Sequence, residues 1–267
     1  MENKCKEILE IEHVTNRYRD SGAGFFSKDK MTRVLNDVSL TIHRDEIFGL
    51  VGESGCGKST LGKAVLGMIP FDGEIRVAGM KYSRNNRKEF TRSVQAVFQD
   101  PLSALNPRRT IAQTMEEPLL AHGMGTKESR RQKVIEMLQL VGLDESYADR
   151  LPRELSGGQR QRVCIGAALM IDPELVIADE ATSALDVSVG AQILNLFQEI
   201  HDRKDFAMLF ISHNLNVVRK LCRWVAVMQK GVIVEDGETS EIFLHPKHPY
   251  TKNLINAIPR RDRKERP

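Results

Sequence analysis

The chain has 267 residues, 41% of them hydrophobic and 28% charged, which supplies both a core and a wettable surface and excludes collagen-like, disordered and miniprotein classes. Its 39 Lys and Arg against 36 Asp and Glu leave a formal charge of +3, too small to demand a polyanionic partner. Cys5, Cys56, Cys164 and Cys222 lie far apart with no C-x-x-C pair, so no zinc site or disulfide framework is readable and a reducing compartment is expected.

From the amino terminus, residues 9–18 and 38–42 roughly alternate apolar and polar, the pattern of half-buried strands. Between them RDSGAGFFSKDKMT at 19–32 is rich in Gly, Ser and charge and predicts an exposed loop. IFGLV at 47–51 reads as a buried strand, a helical pattern follows over 60–66, and GEIRVAG at 73–79 reads as half a hairpin. The early strands and this hairpin are expected to form an antiparallel edge on a central sheet.

VQAVF at 94–98 is the next buried strand. The strand signal then disappears from Pro101 to about Leu151, where Val134, Met137, Leu138 and Val141 recur at helical spacing and predict a helical insertion. LVIA at 175–178, AMLFI at 207–211 and VAVM at 225–228 resume the series of short strands, so the fold class is α/β with a largely parallel sheet covered by helices. FAMLFI at 206–211 is the most apolar stretch and is far short of the ~20 residues a membrane span needs. The acids of MENKCKEILE do not suit a signal peptide. After Gly237 come a short helix-like piece, Pro246, Pro249 and Pro259, and a tail, RRDRKERP, that reads as solvated.

Two of these strands end in chemistry. Gly52, Glu53, Ser54, Gly55, Cys56, Gly57, Lys58 and Ser59 fit G-x-x-x-x-G-K-[ST] between a strand and a helix that Thr60 opens. The glycines let backbone N–H groups turn inward around phosphate, beside the partial positive charge of the helix. A triphosphate is the natural ligand, with Lys58 reaching its terminal phosphates and Ser59 ligating Mg²⁺. Asp179 and Glu180 end the 175–178 strand, where Asp179 suits the Mg²⁺ shell and Glu180 suits a base for an attacking water. No separate acceptor site is visible, which favours hydrolysis over phosphoryl transfer to a second substrate.

Leu155-Ser156-Gly157-Gly158-Gln159 opens a further helical stretch in which Ser156 can cap the helix while the glycines leave its amides bare, an anion site with no lysine of its own. With these motifs together the sequence resembles the ATP-binding-cassette ATPases. The resemblance implies a P-loop NTPase core with a mixed sheet, an antiparallel β edge and an inserted helical subdomain. Two cassettes of this kind pair head to tail, so Ser156, Gly157, Gly158 and Gln159 would close on the partner's ATP. By the same resemblance Gln99 is the metal-linked glutamine, His213 contacts the γ-phosphate, and Ser183-Ala-Leu-Asp186 crosses the dimer interface. Tyr18 takes the place of the aromatic that stacks on adenine, with Phe25 and Phe26 as competitors.

QDPLSALNPR at 99–108 and HPKHPYT at 245–251 resemble the peptide/nickel importer branch, and with no cysteine after Cys222 the chain resembles its cluster-free partner type. That implies ATP and Mg²⁺ as cofactors, a second ATPase subunit in a heterodimer, two membrane-spanning permease subunits and, indirectly, an extracytoplasmic substrate-binding protein. It implies no nucleic acid, and a peripheral place on the cytoplasmic face of the cell membrane. Di- or oligopeptides are the first expectation for the cargo and nickel or a metal chelate the second; a cytosolic cassette ATPase without a transport role is the alternative from another class. The expected division is a nucleotide-binding core over 1–98 and 166–240, a helical subdomain over 99–165 and a C-terminal segment over 241–267. Ala167, Ala181 and Asn214 depart from the usual arginine, proline and aspartate of the pattern.

Overall fold

The computed structural model describes residues 7–19 and 31–257; of the loop expected over 19–32, residues 20–30 with Phe25 and Phe26 lie outside the described residues, as does the tail from 258, while Arg19, Met31 and Thr32 belong to strands. Two long strands, β1 (Glu7–Arg19) and β2 (Met31–His43), precede β3 (Ile47–Val51), which runs through the glycine-rich loop into α1 (Lys58–Val65). The hairpin of β4 (Asp72–Val77) and β5 (Met80–Lys81) leads to α2 (Arg87–Ser93) and β6 (Val94–Val97). The helical insertion comprises α3 (Pro101–Ala104), α4 (Ile111–Ala121), α5 (Lys127–Leu140) and α6 (Gly157–Leu169), with single 3-10 turns at Glu145–Asp149 and Pro152–Glu154. Strands and helices then alternate through β7 (Leu175–Asp179), α7 (Val187–His201), β8 (Ala207–Ile211), α8 (Leu215–Leu221), β9 (Trp224–Gln229) and β10 (Val232–Glu238). Two short helices, α9 (Thr239–Leu244) and α10 (Pro249–Asn256), follow.

The central sheet has the order β10-β9-β3-β8-β7-β6. β9, β3, β8, β7 and β6 run parallel to one another, and β10 pairs antiparallel with β9. Each inner strand is apolar on both faces, as a sheet covered on both sides requires. Ile47, Val51, Val176, Ala178, Met208, Phe210, Val225 and Val227 enter one core with the helical insertion. Phe48, Leu50, Leu175, Ile177, Leu209, Ile211, Ala226 and Met228 enter another on the opposite face.

The structure corrects one detail of the sequence reading. The strands β2-β1-β4-β5 form their own antiparallel sheet and do not extend the central one. Their apolar face, with Leu9, Ile11, Val14, Leu35, Val38 and Ile42, is buried together with Leu61, Ala64 and Val65 of α1. A sheet with a single apolar face removes more surface from water by stacking on a core than by adding one edge ladder. The antiparallel edge of the central sheet is instead β10, whose sequence VIVEDGE breaks into charge and glycine and lacks a clean strand pattern.

The insertion is fixed to the core by packing and by an ionic tie at Asp172. Met115, Val134, Met137, Leu138, Val141, Val163 and Ile165 are buried in a single cluster with the sheet. Asp172, before β7, accepts from Lys133 of α5 at 2.6 Å and from Lys204 after α7 at 2.5 Å. Among the described residues no helix is long and apolar enough to cross a membrane.

Candidate functional site

β3 delivers the glycine-rich loop to the carboxyl end of the sheet, where an open parallel sheet places its ligands. Two glycines there have no substitute. Gly52 holds φ +154°, and a Cβ would sit 2.2 Å from the Met228 carbonyl oxygen; Gly57, at φ +113°, is the N-cap of α1. Because that cap supplies no side-chain acceptor, the first-turn amides of α1 are left for an anion. Glu53, Ser54 and Gly55 are exposed at the loop's tip, Ser59 and Thr60 are half-buried, and Cys56 is 8% exposed.

Lys58 is 4% exposed, and its Nζ donates to the carbonyls of Gly52 at 2.8 Å and Glu53 at 2.9 Å. Ser59 Oγ donates to Asp179 Oδ1 at 3.0 Å, which joins the loop to the acidic end of β7 across 120 residues of sequence. Burial pushes the Asp179 carboxyl above its ordinary value, the Ser59 hydrogen bond opposes this, and neighbouring Glu180 adds to the rise. A buried carboxylate with a hydroxyl beside it is a hard-oxygen pair that fits Mg²⁺, which takes few protein ligands and keeps phosphate and water oxygens. Among the described residues no group of three or more His, Cys, Asp or Glu forms a cage for another metal.

Glu180 turns the chain out of β7 in the left-handed region at φ 49°, with its N–H on the Ile211 carbonyl at 2.9 Å. Ser183 fixes that turn by donating both its N–H and its hydroxyl to the Glu180 carbonyl, each at 3.0 Å. The Glu180 carboxylate lies 3.1 Å from Nδ1 of His213, which follows β8. A cavity of about 540 Å³ between α7 and α8 has Glu180, Ser212 and His213 at its polar end and Leu194, Val217 and Leu221 along its walls. Asn214, where aspartate was expected, does the capping work: its Oδ1 accepts the Asn216 N–H at 3.1 Å and starts α8. Ala181 is buried and Ala167 is half-buried against the core.

Ser156 is the N-cap of α6 in a capping box: its Oγ accepts the Gln159 N–H at 3.3 Å, and Gln159 Oε1 accepts the Ser156 N–H at 2.8 Å. Gln159 also donates to the Tyr147 hydroxyl at 2.8 Å, and the glycines lie beside Leu185 and Val189. Gly157 and Gly158 thus hold the motif next to the 183–186 turn, whose Asp186 is exposed at the N-cap of α7 and lines the same cavity as Glu180 and His213. Gln99 is exposed just past β6, and Tyr18 is 43% exposed on β1 opposite Thr32.

One residue at the site had no assigned role in the sequence reading, which used HPKHPYT only as a branch marker. Tyr250 of α10 is 8% exposed, and its hydroxyl accepts the N–H of Glu53 at 3.0 Å. Burial raises the phenol above its ordinary value, so it stays neutral. Two cysteines away from the loop are inert thiols: burial pushes Cys164 up to about 12 and Cys222 further.

A strand-loop-helix phosphate cradle, an acidic strand end and a separately capped Ser-Gly-Gly-Gln helix define an ATPase cassette. The ABC transporter family profile matches residues 35–183, and the chain belongs to that family. The profile for the oligopeptide/dipeptide transporter C-terminal region matches 234–267. Similar proteins include the oligopeptide transport ATP-binding protein OppF of Bacillus subtilis, 43% identical over 95% of this chain and 83% of its own length. The dipeptide transport ATP-binding protein DppF of Escherichia coli is 45% identical over 91% of this chain and 75% of its own length. Among solved structures, the cassette MJ0796 bound to ADP and Pi superimposes with a TM-score of 0.75 at 27% identity, covering 87% of this chain and 99% of that one. The cbiO1 protein of Clostridium perfringens gives 0.77 at 26%, covering 90% of this chain and 92% of that one.

Proposed function

We propose that this chain is the ATP-hydrolysing subunit of an ABC importer for di- or oligopeptides, and that the loop Gly52 to Thr60 with Asp179, Glu180 and His213 is its nucleotide site. The observation that carries the site is the Ser59–Asp179 hydrogen bond, which puts the phosphate loop and the acidic strand end in one cluster with Glu180 and His213. Relatives named for oligopeptide and dipeptide transport support the cargo class.

In this reading the loop amides and Lys58 hold the phosphates, and Ser59, Asp179 and Gln99 hold Mg²⁺. The metal supplies charge neutralisation at phosphate oxygens when bound. Glu180 accepts the proton of the attacking water and His213 orients Glu180 through the Nδ1 contact. Tyr18 stacks on the adenine.

The Ser156 cap, whose helix start lies beside Leu185 and Val189, acts on ATP held by a second ATPase subunit in a head-to-tail dimer. That subunit is a different chain, and the pair works on two membrane-spanning permease subunits at the cytoplasmic face of the membrane. Substitution Glu180→Gln tests the site. The amide still accepts at Oε1, so ATP affinity and folding are retained while turnover falls about 10²–10⁴-fold and a nucleotide-bound dimer accumulates. Phosphate release at the unmutated rate places the base elsewhere.

A further inference from the structure

The phosphate loop is held by contacts that reach it from the far end of the chain. Gly231, in the turn between β9 and β10, donates its N–H to the Cys56 carbonyl at 2.8 Å. Tyr250, 197 residues from Glu53, accepts the Glu53 N–H. The Glu53 carbonyl in turn accepts Lys58 Nζ at 2.9 Å, so the residue that orients the lysine is itself pinned by the tyrosine.

Tyr250 is not a loose cover. It sits at the start of α10, after Pro249 at the first helical position and with His248 as N-cap, whose Nδ1 accepts the Tyr250 N–H at 3.2 Å. Glu235 of β10 accepts the N–H of Lys247 at 2.7 Å and of His248 at 3.0 Å, which ties the segment to the central sheet. The phenol body is 8% exposed and belongs to the main core cluster, and its hydroxyl meets the loop.

We propose that Tyr250 is a positioning residue for the phosphate loop, so that the C-terminal segment carrying it is part of the nucleotide site. This rests on the assignment of ATP to that loop. The hydroxyl restricts Glu53 before nucleotide arrives, and the ordering cost of the loop is met by folding instead of by binding. The contact touches no reacting atom, so it sets affinity and leaves the chemical step alone.

The test is Tyr250→Phe in the full chain, which keeps the ring and the docked helix and removes only the hydroxyl. We expect the same melting temperature without nucleotide, faster hydrogen exchange at the Glu53 amide, and ATP affinity about three- to tenfold weaker by calorimetry. The KM for ATP rises in step while kcat at saturation is unchanged. A purely packing role for the tyrosine leaves affinity and Glu53 exchange as they were. Lys58→Ala is measured alongside. If Lys58→Ala loses ATP while Tyr250→Phe binds normally, the positioning role is overturned; if Lys58→Ala also binds normally, the nucleotide-site assignment falls and this inference with it.

Discussion

Ser156→Arg separates a site that acts on its own nucleotide from one that acts on a partner's. In the structure the Ser156 Oγ satisfies the Gln159 N–H, and losing such a cap costs about 1 kcal/mol. A guanidinium at the positive end of α6 adds about 0.3–1 kcal/mol of unfavourable charge. Together the chain loses about 1–2 kcal/mol, a fall in melting temperature of about 2–8 °C, and stays folded. Its own ATP affinity is unchanged within about twofold, because the Ser156 hydroxyl bonds to Gln159, and Gln159 to Tyr147, within the insertion. Closure against a partner's phosphates now meets a long side chain where a serine and two glycines stand, a steric penalty of about 3 kcal/mol, so the closed dimer falls about a hundredfold. Ser156→Ala gives the same loss of cap without the charge, and retains turnover; this variant distinguishes a blocked interface from a weakened helix. The assay pairs each variant with an unmodified partner and assigns the lost site by nucleotide trapping. Loss at the ATP held by this chain's own Lys58 refutes the head-to-tail reading.

Three further outcomes follow from local geometry. Gly52→Ala drives a Cβ to 2.2 Å from the Met228 carbonyl at φ +154°, whereas Gly55, at φ +78°, has no atom within 4 Å of its Cβ position. Gly52→Ala is therefore expected to cost at least about 2 kcal/mol and Gly55→Ala about 1 kcal/mol, read as the difference in thermal midpoints. Equal losses would mean that the contact with β9 is not what fixes the loop. For Asp172, burial raises the carboxyl, but the hydrogen bonds and charges of Lys133 and Lys204 more than offset this and hold it below the ordinary carboxylate value. A depressed carboxylate stabilises the fold above its unfolded value and loses that contribution as pH falls through the folded one. With Asp172 55% exposed, Asp172→Asn should cost less than about 1 kcal/mol at neutral pH, and the difference should shrink in high salt and vanish in acid. A difference independent of both salt and pH would show that the tie is not ionic.

The phosphate loop, the acidic strand end and the capped Ser-Gly-Gly-Gln helix were all legible in the sequence, because each is a local event. Glycines at fixed offsets, a strand that ends in carboxylates and a serine three residues before a glutamine are set by the backbone within one turn. The five parallel strands were legible for a related reason: a strand buried on both faces must be a short continuous apolar run. The tertiary structure decided everything that depends on which faces meet. It stacked β1, β2, β4 and β5 as a second sheet over α1 instead of extending the first, since their alternation fixes which side is apolar but not what covers it. It joined Ser59 to Asp179 and Glu180 to His213, whose residue types were readable but whose distances arise only when β3, β7 and β8 lie side by side. It also brought Tyr250 onto Glu53, a contact with no signal in either local sequence, because a hydroxyl and an amide 197 residues apart are brought together only by the packing of α10 on the finished sheet.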